Sequence, residues 1–286
     1  MGWIIVDVYE GINNFYSGWI WWNLFLAFIP MLLSFKLFRR KALPPFWFAL
    51  ACFGTALIGI AGLESRLPRL RRFALSVLRG IQTREPSTLL QLLWLAGVMV
   101  IALGISIWLF KRAHTRKPWL WWIGLVTFIA FLPNAPYVLT DILHLIRGTS
   151  AGSIKIWVVA FIFIPMHMAA IIVGFEAYVI ALLNLNFYLQ QKGLQALAGP
   201  AEIGIHALCA FGVYLGRFIR LNSWDIVVDP SSVLATTINT LTSKRPVAVI
   251  FFSFVLLTVL YWIMKQVTLG LKLRIYYART GQNALN

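Results

Sequence analysis

The chain has 286 residues, of which 60% are hydrophobic and only 12% charged, with a mean hydropathy of +0.80. Soluble domains are about 45–50% apolar and about 25% charged, so this composition excludes a soluble fold and points to an all-α, polytopic transmembrane helix bundle. Twenty-five Lys and Arg against nine Asp and Glu give a net charge of +16; no nucleic-acid reading module is present, so the expected partners are the bilayer and its anionic lipid head groups, with no nucleic acid.

Asp7 and Glu10 precede the first basic residue, Lys36. Without the positive n-region of a cleaved signal, the first apolar run is expected to stay in the mature protein. Apolar runs long enough to span a membrane fall at about 18–38, 45–63, 89–110, 119–139, 155–184, 201–219 and 247–266, giving about seven spans in a single membrane domain. Trp19, Trp21 and Trp22 open the first and Trp119, Trp121 and Trp122 the fourth, as suits the membrane–water interface. The fifth is too long for one perpendicular span, so it tilts, bends at Pro165, or projects. The alternation of a β-barrel is absent.

The expected orientation puts the N-terminus outside and the C-terminus inside. The inside then collects Lys36, Arg39, Arg40, Lys41, Lys111, Arg112, Arg116, Lys117, Lys192 and the basic C-terminal residues. The Arg-rich segment 64–88 opposes this by lying outside; within it, RLRRFALSVLRGI (69–81) reads as an amphipathic interfacial helix. Cys52 and Cys209 lie in apolar runs and read as small buried hydrophobes rather than a disulfide.

The fourth and sixth spans are separated by one span, so their C-terminal ends share a membrane face. Both ends carry unusual residues. The fourth runs into FLPNAPYVLTDILHLIRG (131–148). Pro133 and Pro136 bracket Asn134 and break the helix; the turn after them sets Tyr137, Asp141 and His144 on one face, beside Thr140 and Arg147. Ionisable groups on a broken helix mark a candidate site, although Asp141 could also simply pair with an arginine. The sixth runs into GVYLGRFIRLNSWDIVVDP (212–230). Gly212 and Gly216 allow close approach of another helix; Arg217 and Arg220 follow, then Asn222, Ser223, Trp224 and Asp225. Asn222 with Asp225 also reads as a cap, Asp229 with Pro230 as the start of the next helix, and the arginines as groups snorkelling to phosphates. If the two motifs meet, carboxylates Asp141 and Asp225 face Arg147, Arg217 and Arg220, with His144 as a proton carrier. Such a site suits an anionic or zwitterionic ligand.

Other polar residues carry less. His167 and Glu176 lie on opposite sides of an ideal helix, and His167 reads as an interhelical hydrogen-bonding group. His206 belongs near the other membrane face, and His114 in a basic loop is solvated. Gly148 to Gly152 spells GxSxG around Ser150, but that nucleophile elbow requires a strand-to-helix turn, which nothing here provides. WIWWNLFLAFIP (19–30) and WLWWIGLVTFIAFLP (119–133) look alike, a hint of an inverted repeat that aromatic belts alone also explain.

NLFLAFIP (23–30), FLPNAPYVLTDILHL (131–145) and YLGRFIRLNSWD (214–225) resemble the membrane family called domain of unknown function 1361. The resemblance covers the first span and roughly 119–266. It implies a polytopic bacterial membrane protein, in the cytoplasmic membrane, and supplies no activity. It leaves 42–117 as a two-span insertion. Three functions follow from the motifs: binding or transport of a small anionic or zwitterionic solute or lipid head group; an intramembrane enzyme acting on a lipid-linked or phosphate-bearing substrate, with Asp141 or His144 as base; and a structural or assembly factor. No metal is expected, since His144, Asp141 and Asp225 are the sole set a metal could draw on, and no cofactor is specified.

Overall fold

The computed structural model describes residues 18–63, 119–149, 155–220 and 230–281, with scattered positions at 6–9 and 67–83. The described residues are helical and contain no strand. Seven helices organise them: α1 (Trp19–Phe38), α2 (Pro45–Leu63), α3 (Trp119–Ile146), α4 (Ile156–Gln191), α5 (Gln195–Ile219), α6 (Pro230–Thr242) and α7 (Lys244–Thr280). All but α6 are long and apolar enough to cross a bilayer. The chain is an integral membrane helix bundle. Six of the seven expected spans fall among the described residues; the fourth continues to Ile146 and the fifth to Gln191, the sixth starts at Gln195 rather than at 201, and the last runs to Thr280. In each, helical backbone extends beyond the apolar run, which a hydropathy reading does not see. The expected third span, 89–110, most of the 69–81 segment, and His114 and Ser150 lie outside the described residues.

Lipid-facing and protein-facing surfaces are inverted relative to a soluble core. Phe251, Phe252 and Trp262 of α7 are well exposed, whereas Asn23, Ser34, Asp141, His167, Asn184 and His206 are buried. Burying these polar groups inside the bundle satisfies them where lipid cannot. Asn184 donates from Nδ2 to the Ser34 hydroxyl at 2.9 Å, and that hydroxyl donates to the Met31 carbonyl at 2.6 Å, tying α4 to α1. Glu202 of α5 accepts from Lys265 Nζ of α7 at 2.6 Å, and also from the Tyr261 hydroxyl and Asn186 Nδ2. His206 Nδ1 pairs with the Tyr178 hydroxyl at 2.6 Å, and Thr268 donates to Glu176 at 2.8 Å. His167 Nδ1 bonds the Phe163 carbonyl of its own helix, a partner distinct from that of Glu176. Cys209 is buried and Cys52 half-buried; both are free thiols.

Small residues set the helix spacing. A Cβ on Gly62 of α2 would lie 2.5 Å from the Trp22 nitrogen, and one on Gly174 of α4 would lie 3.0 Å from Val138. The first contact puts the end of α2 beside the start of α1, the Trp19 end of the bundle. The Trp121 indole N–H donates to the Leu37 carbonyl at 3.2 Å, so α3 begins at the opposite, Phe38 end. From there α3 and α5 both run to the Trp19 end, which brings the two motifs to the same place.

Two π-helical turns interrupt the long helices. The first, Val159–Phe163, stands directly before Pro165 in α4. Proline lacks the N–H that the carbonyl four residues earlier would receive and its ring crowds that carbonyl. A wider turn relieves both problems. The second, Leu215–Ile219, closes α5 and contains Arg217.

Candidate functional site

α3 breaks at Leu132–Pro133, restarts as helix at Asn134–Tyr137, and tightens into a 3-10 turn over Val138–Asp141 before continuing. The proline pair explains the break, since Pro133 and Pro136 cannot donate to the preceding turn. The tightened turn sends Tyr137, Thr140, Asp141 and His144 toward the end of α5. Gly212 of α5 meets Pro133 there: an added Cβ would lie 2.8 Å from Pro133 Cβ and 3.2 Å from its Cγ. Only a residue without a side chain lets α5 approach this closely.

Arg217 occupies the junction. Its Nε donates to Thr140 Oγ1 at 2.8 Å, its Nη2 to Asp141 Oδ1 at 2.8 Å, and its Nη1 to His144 Nε2 at 2.9 Å. Guanidinium only donates, so His144 accepts and carries no proton on Nε2. The guanidinium also lies over the Tyr137 ring, 4.6 Å from its centroid, a favourable cation–π arrangement. One turn of α3 therefore fixes the position and plane of the arginine.

Asp141 is 1% exposed. Besides Arg217, its two oxygens accept from Asn23 Nδ2 of α1, each at 2.9 Å. A buried carboxylate this far from water is tolerable only when paired and hydrogen-bonded, and Asn23 with Arg217 meets both needs. Trp19 packs on the rim, its ring 4.4 Å from the His144 ring and 5.4 Å from the His167 ring. His167 Nδ1 donates to the Phe163 carbonyl at 2.7 Å. The site thus draws on α1, α3, α4 and α5.

Of the residues singled out in the sequence, the structure gathers Tyr137, Thr140, Asp141, His144 and Arg217. Asn134 sits just behind, its Nδ2 donating to the Phe131 carbonyl at 3.1 Å, where it satisfies the broken helix. Arg220 is exposed, with a left-handed φ of 65° that ends the π turn. Asn222, Trp224 and Asp225 lie outside the described residues, as does the side chain of Arg147. Among the described residues no three His, Cys, Asp or Glu side chains group as a metal set. Asn23 and Trp19 were missed as site residues. Asn23 opens NLFLAFIP, where it is the single polar group in eight residues; an isolated amide in a span was the signal available.

The family described as "Protein of unknown function (DUF1361)" matches residues 94–259, more than half of the 286 residues. The chain belongs to DUF1361. The match takes in both polar motifs, begins inside the 42–117 segment, and leaves NLFLAFIP outside it. No curated protein and no solved structure matches the chain.

Proposed function

We propose that this DUF1361 protein binds a small anionic or zwitterionic solute, or a lipid head group, at the Trp19 end of its bundle. The carrying observation is the fixed guanidinium of Arg217. Of its five N–H groups, three are taken by Thr140, Asp141 and His144 among the described residues. Two remain for oxygens of a ligand, in a plane set before the ligand arrives, which lowers the ordering cost of binding. Tyr137, Thr140 and His144 are half-buried and form the ligand-facing rim; Arg220, Asn222, Trp224 and Asp225 continue the same motif and complete the set. Asp141 and Asn23 hold the arginine rather than the ligand. The family resemblance supports a bacterial cytoplasmic membrane as the setting.

A structural role has its own supporting observation. Asp141 and Arg217 have side-chain exposures of 1% and 8%, which suits a closed tie between helices. Asp141 as a catalytic base finds less support, since both its oxygens are engaged.

Mass spectrometry of lipids and metabolites retained by purified protein, run beside thermal unfolding, separates the two roles. The substitutions His144→Phe and Arg220→Gln spare the Asp141–Arg217 pair. The binding reading expects the pair of substitutions to lower retention of the bound species by about tenfold or more, the loss of one charge-assisted hydrogen bond, with little change in melting temperature. Unchanged retention with a lowered melting temperature would leave only the structural role.

A further inference from the structure

At the Phe38 end, α1 and α4 terminate and α3 begins around a cleft of about 710 Å3. Its floor is aromatic: Phe38 and Trp121 are buried and Tyr188 half-buried. Its rim is cationic, with Arg39, Arg40, Lys41 and Lys192, and among the described residues no acidic side chain lines it. A second cleft of about 720 Å3, across the turn that follows α1, shares Arg40 and Lys41 and adds Lys36. Two of the cations are held in place. The Arg39 guanidinium lies 4.6 Å from the centroid of the Phe187 ring, and Arg40 Nε donates to the Lys36 carbonyl at 2.8 Å.

Basic residues at helix C-termini have a structural use, because the helix dipole places about half a negative charge there. Magnitudes limit that explanation. Two helix ends supply about one negative charge in all, against four cations on the rim of the first cleft. The ion pairs among the described residues involve Lys155, Arg217 and Lys265, and none of these four. The volume falls within the range of about 300–1,000 Å3 usual for ligand sites. Trp and Tyr in the floor set the depth at the level of lipid head groups, and basic pockets between membrane helices take phosphate-bearing heads.

We propose that the cleft binds the phosphate head of an anionic membrane lipid, with Arg39, Arg40, Lys41 and Lys192 around the phosphate and the glycerol region against Trp121 and Tyr188. The aromatic floor at the ends of three spans selects a lipid over free phosphate, which gains nothing from it. This site is separate from Arg217, at the other end of the bundle, so either can fail alone.

Native mass spectrometry of the full chain in nonionic detergent, titrated with phosphatidylglycerol and with phosphatidylcholine, tests it. Phosphatidylglycerol is expected to bind about tenfold or more tightly than phosphatidylcholine. Arg39→Gln and Lys192→Gln are each expected to weaken it about fivefold; Lys192 is exposed, so that substitution spares the fold. Lys155→Gln, at the other end of α4, removes the same charge and is expected to change binding less than about twofold. Millimolar inorganic phosphate is expected to leave the lipid bound. Equal binding of phosphatidylcholine would overturn the site, and so would a loss in Lys155→Gln as large as in Lys192→Gln. Displacement of the lipid by inorganic phosphate would overturn the choice of lipid.

Discussion

Asp141 and Arg217 contact at 2.8 Å with almost no solvent around them, and the energetics of such a pair are asymmetric. Each ion gives up hydration worth several kcal/mol, and their attraction roughly returns it, so the intact pair contributes little net stability. Removing one partner is another matter, since it leaves a buried charge alone. Asp141→Ala is therefore expected to destabilise the protein by about 3–5 kcal/mol. Asp141→Leu combined with Arg217→Met, which replaces both charges with apolar groups, is expected to recover most of that loss. Asn23→Ala removes an amide donor to a carboxylate that keeps its arginine, and is expected to cost about 0.6–1.7 kcal/mol, the range for hydrogen bonds between membrane helices. Reversible unfolding in mixed detergent micelles measures all three. A double variant no more stable than Asp141→Ala would show that the pair is not the source of the cost.

Helix spacing at the site depends on glycine at one point. An added Cβ at Gly212 meets Pro133 Cβ at 2.8 Å, whereas one at Gly204, eight residues earlier in the same helix, meets nothing within 4 Å. A proline ring cannot swing aside as a long side chain does, so Gly212→Ala must push α5 away from α3. About 1–3 kcal/mol is expected for that overpacking, and the shift draws Arg217 away from Thr140 and His144. Gly204→Ala should be neutral or stabilising by about 0.5–1 kcal/mol, because alanine favours helix without new contacts. The melting temperature is expected to fall for Gly212→Ala and not for Gly204→Ala; equal shifts would discount the contact at Pro133. Gly212 was legible in the sequence as a point of close approach, but its partner was not, because spacing along one helix does not name the residue facing it. The same limit hid Asn23, whose partner Asp141 lies 118 residues on. Arg217 and Arg220 looked equivalent on an ideal helix. The π turn over Leu215–Ile219 and the left-handed Arg220 separate them, holding one beside Asp141 and leaving the other in the open.

On the scale of the molecule, the bundle was legible because lipid asks for long uniform apolar runs and makes every polar interruption conspicuous. Orientation is less direct, since two charge signals compete. The Phe38 end carries Arg39, Arg40, Lys41 and Lys192, and in sequence Lys111, Arg112, Arg116 and Lys117 adjoin the start of α3 there. The Trp19 end receives the close of α2, after which the sequence holds Arg66, Arg69, Arg71, Arg72, Arg79 and Arg84. Orientation follows cations in short loops close to span ends. With Lys36 and the basic residues from Lys265 onward, thirteen cations lie at the first end; at the second, Arg147, Lys155, Arg217, Arg220, Lys244 and Arg245 flank spans, while the six arginines are spread along a segment with the amphipathic pattern of a helix lying on the surface. The Phe38 end is therefore expected to face the cytoplasm. In a background with Cys52 and Cys209 replaced by alanine, Lys155→Cys should react with a membrane-impermeant maleimide in intact cells. Lys41→Cys should react only once the membrane is opened. The reverse pattern would mean that the arginine segment decides orientation, and it would put the Arg217 site on the cytoplasmic face and the basic cleft outside.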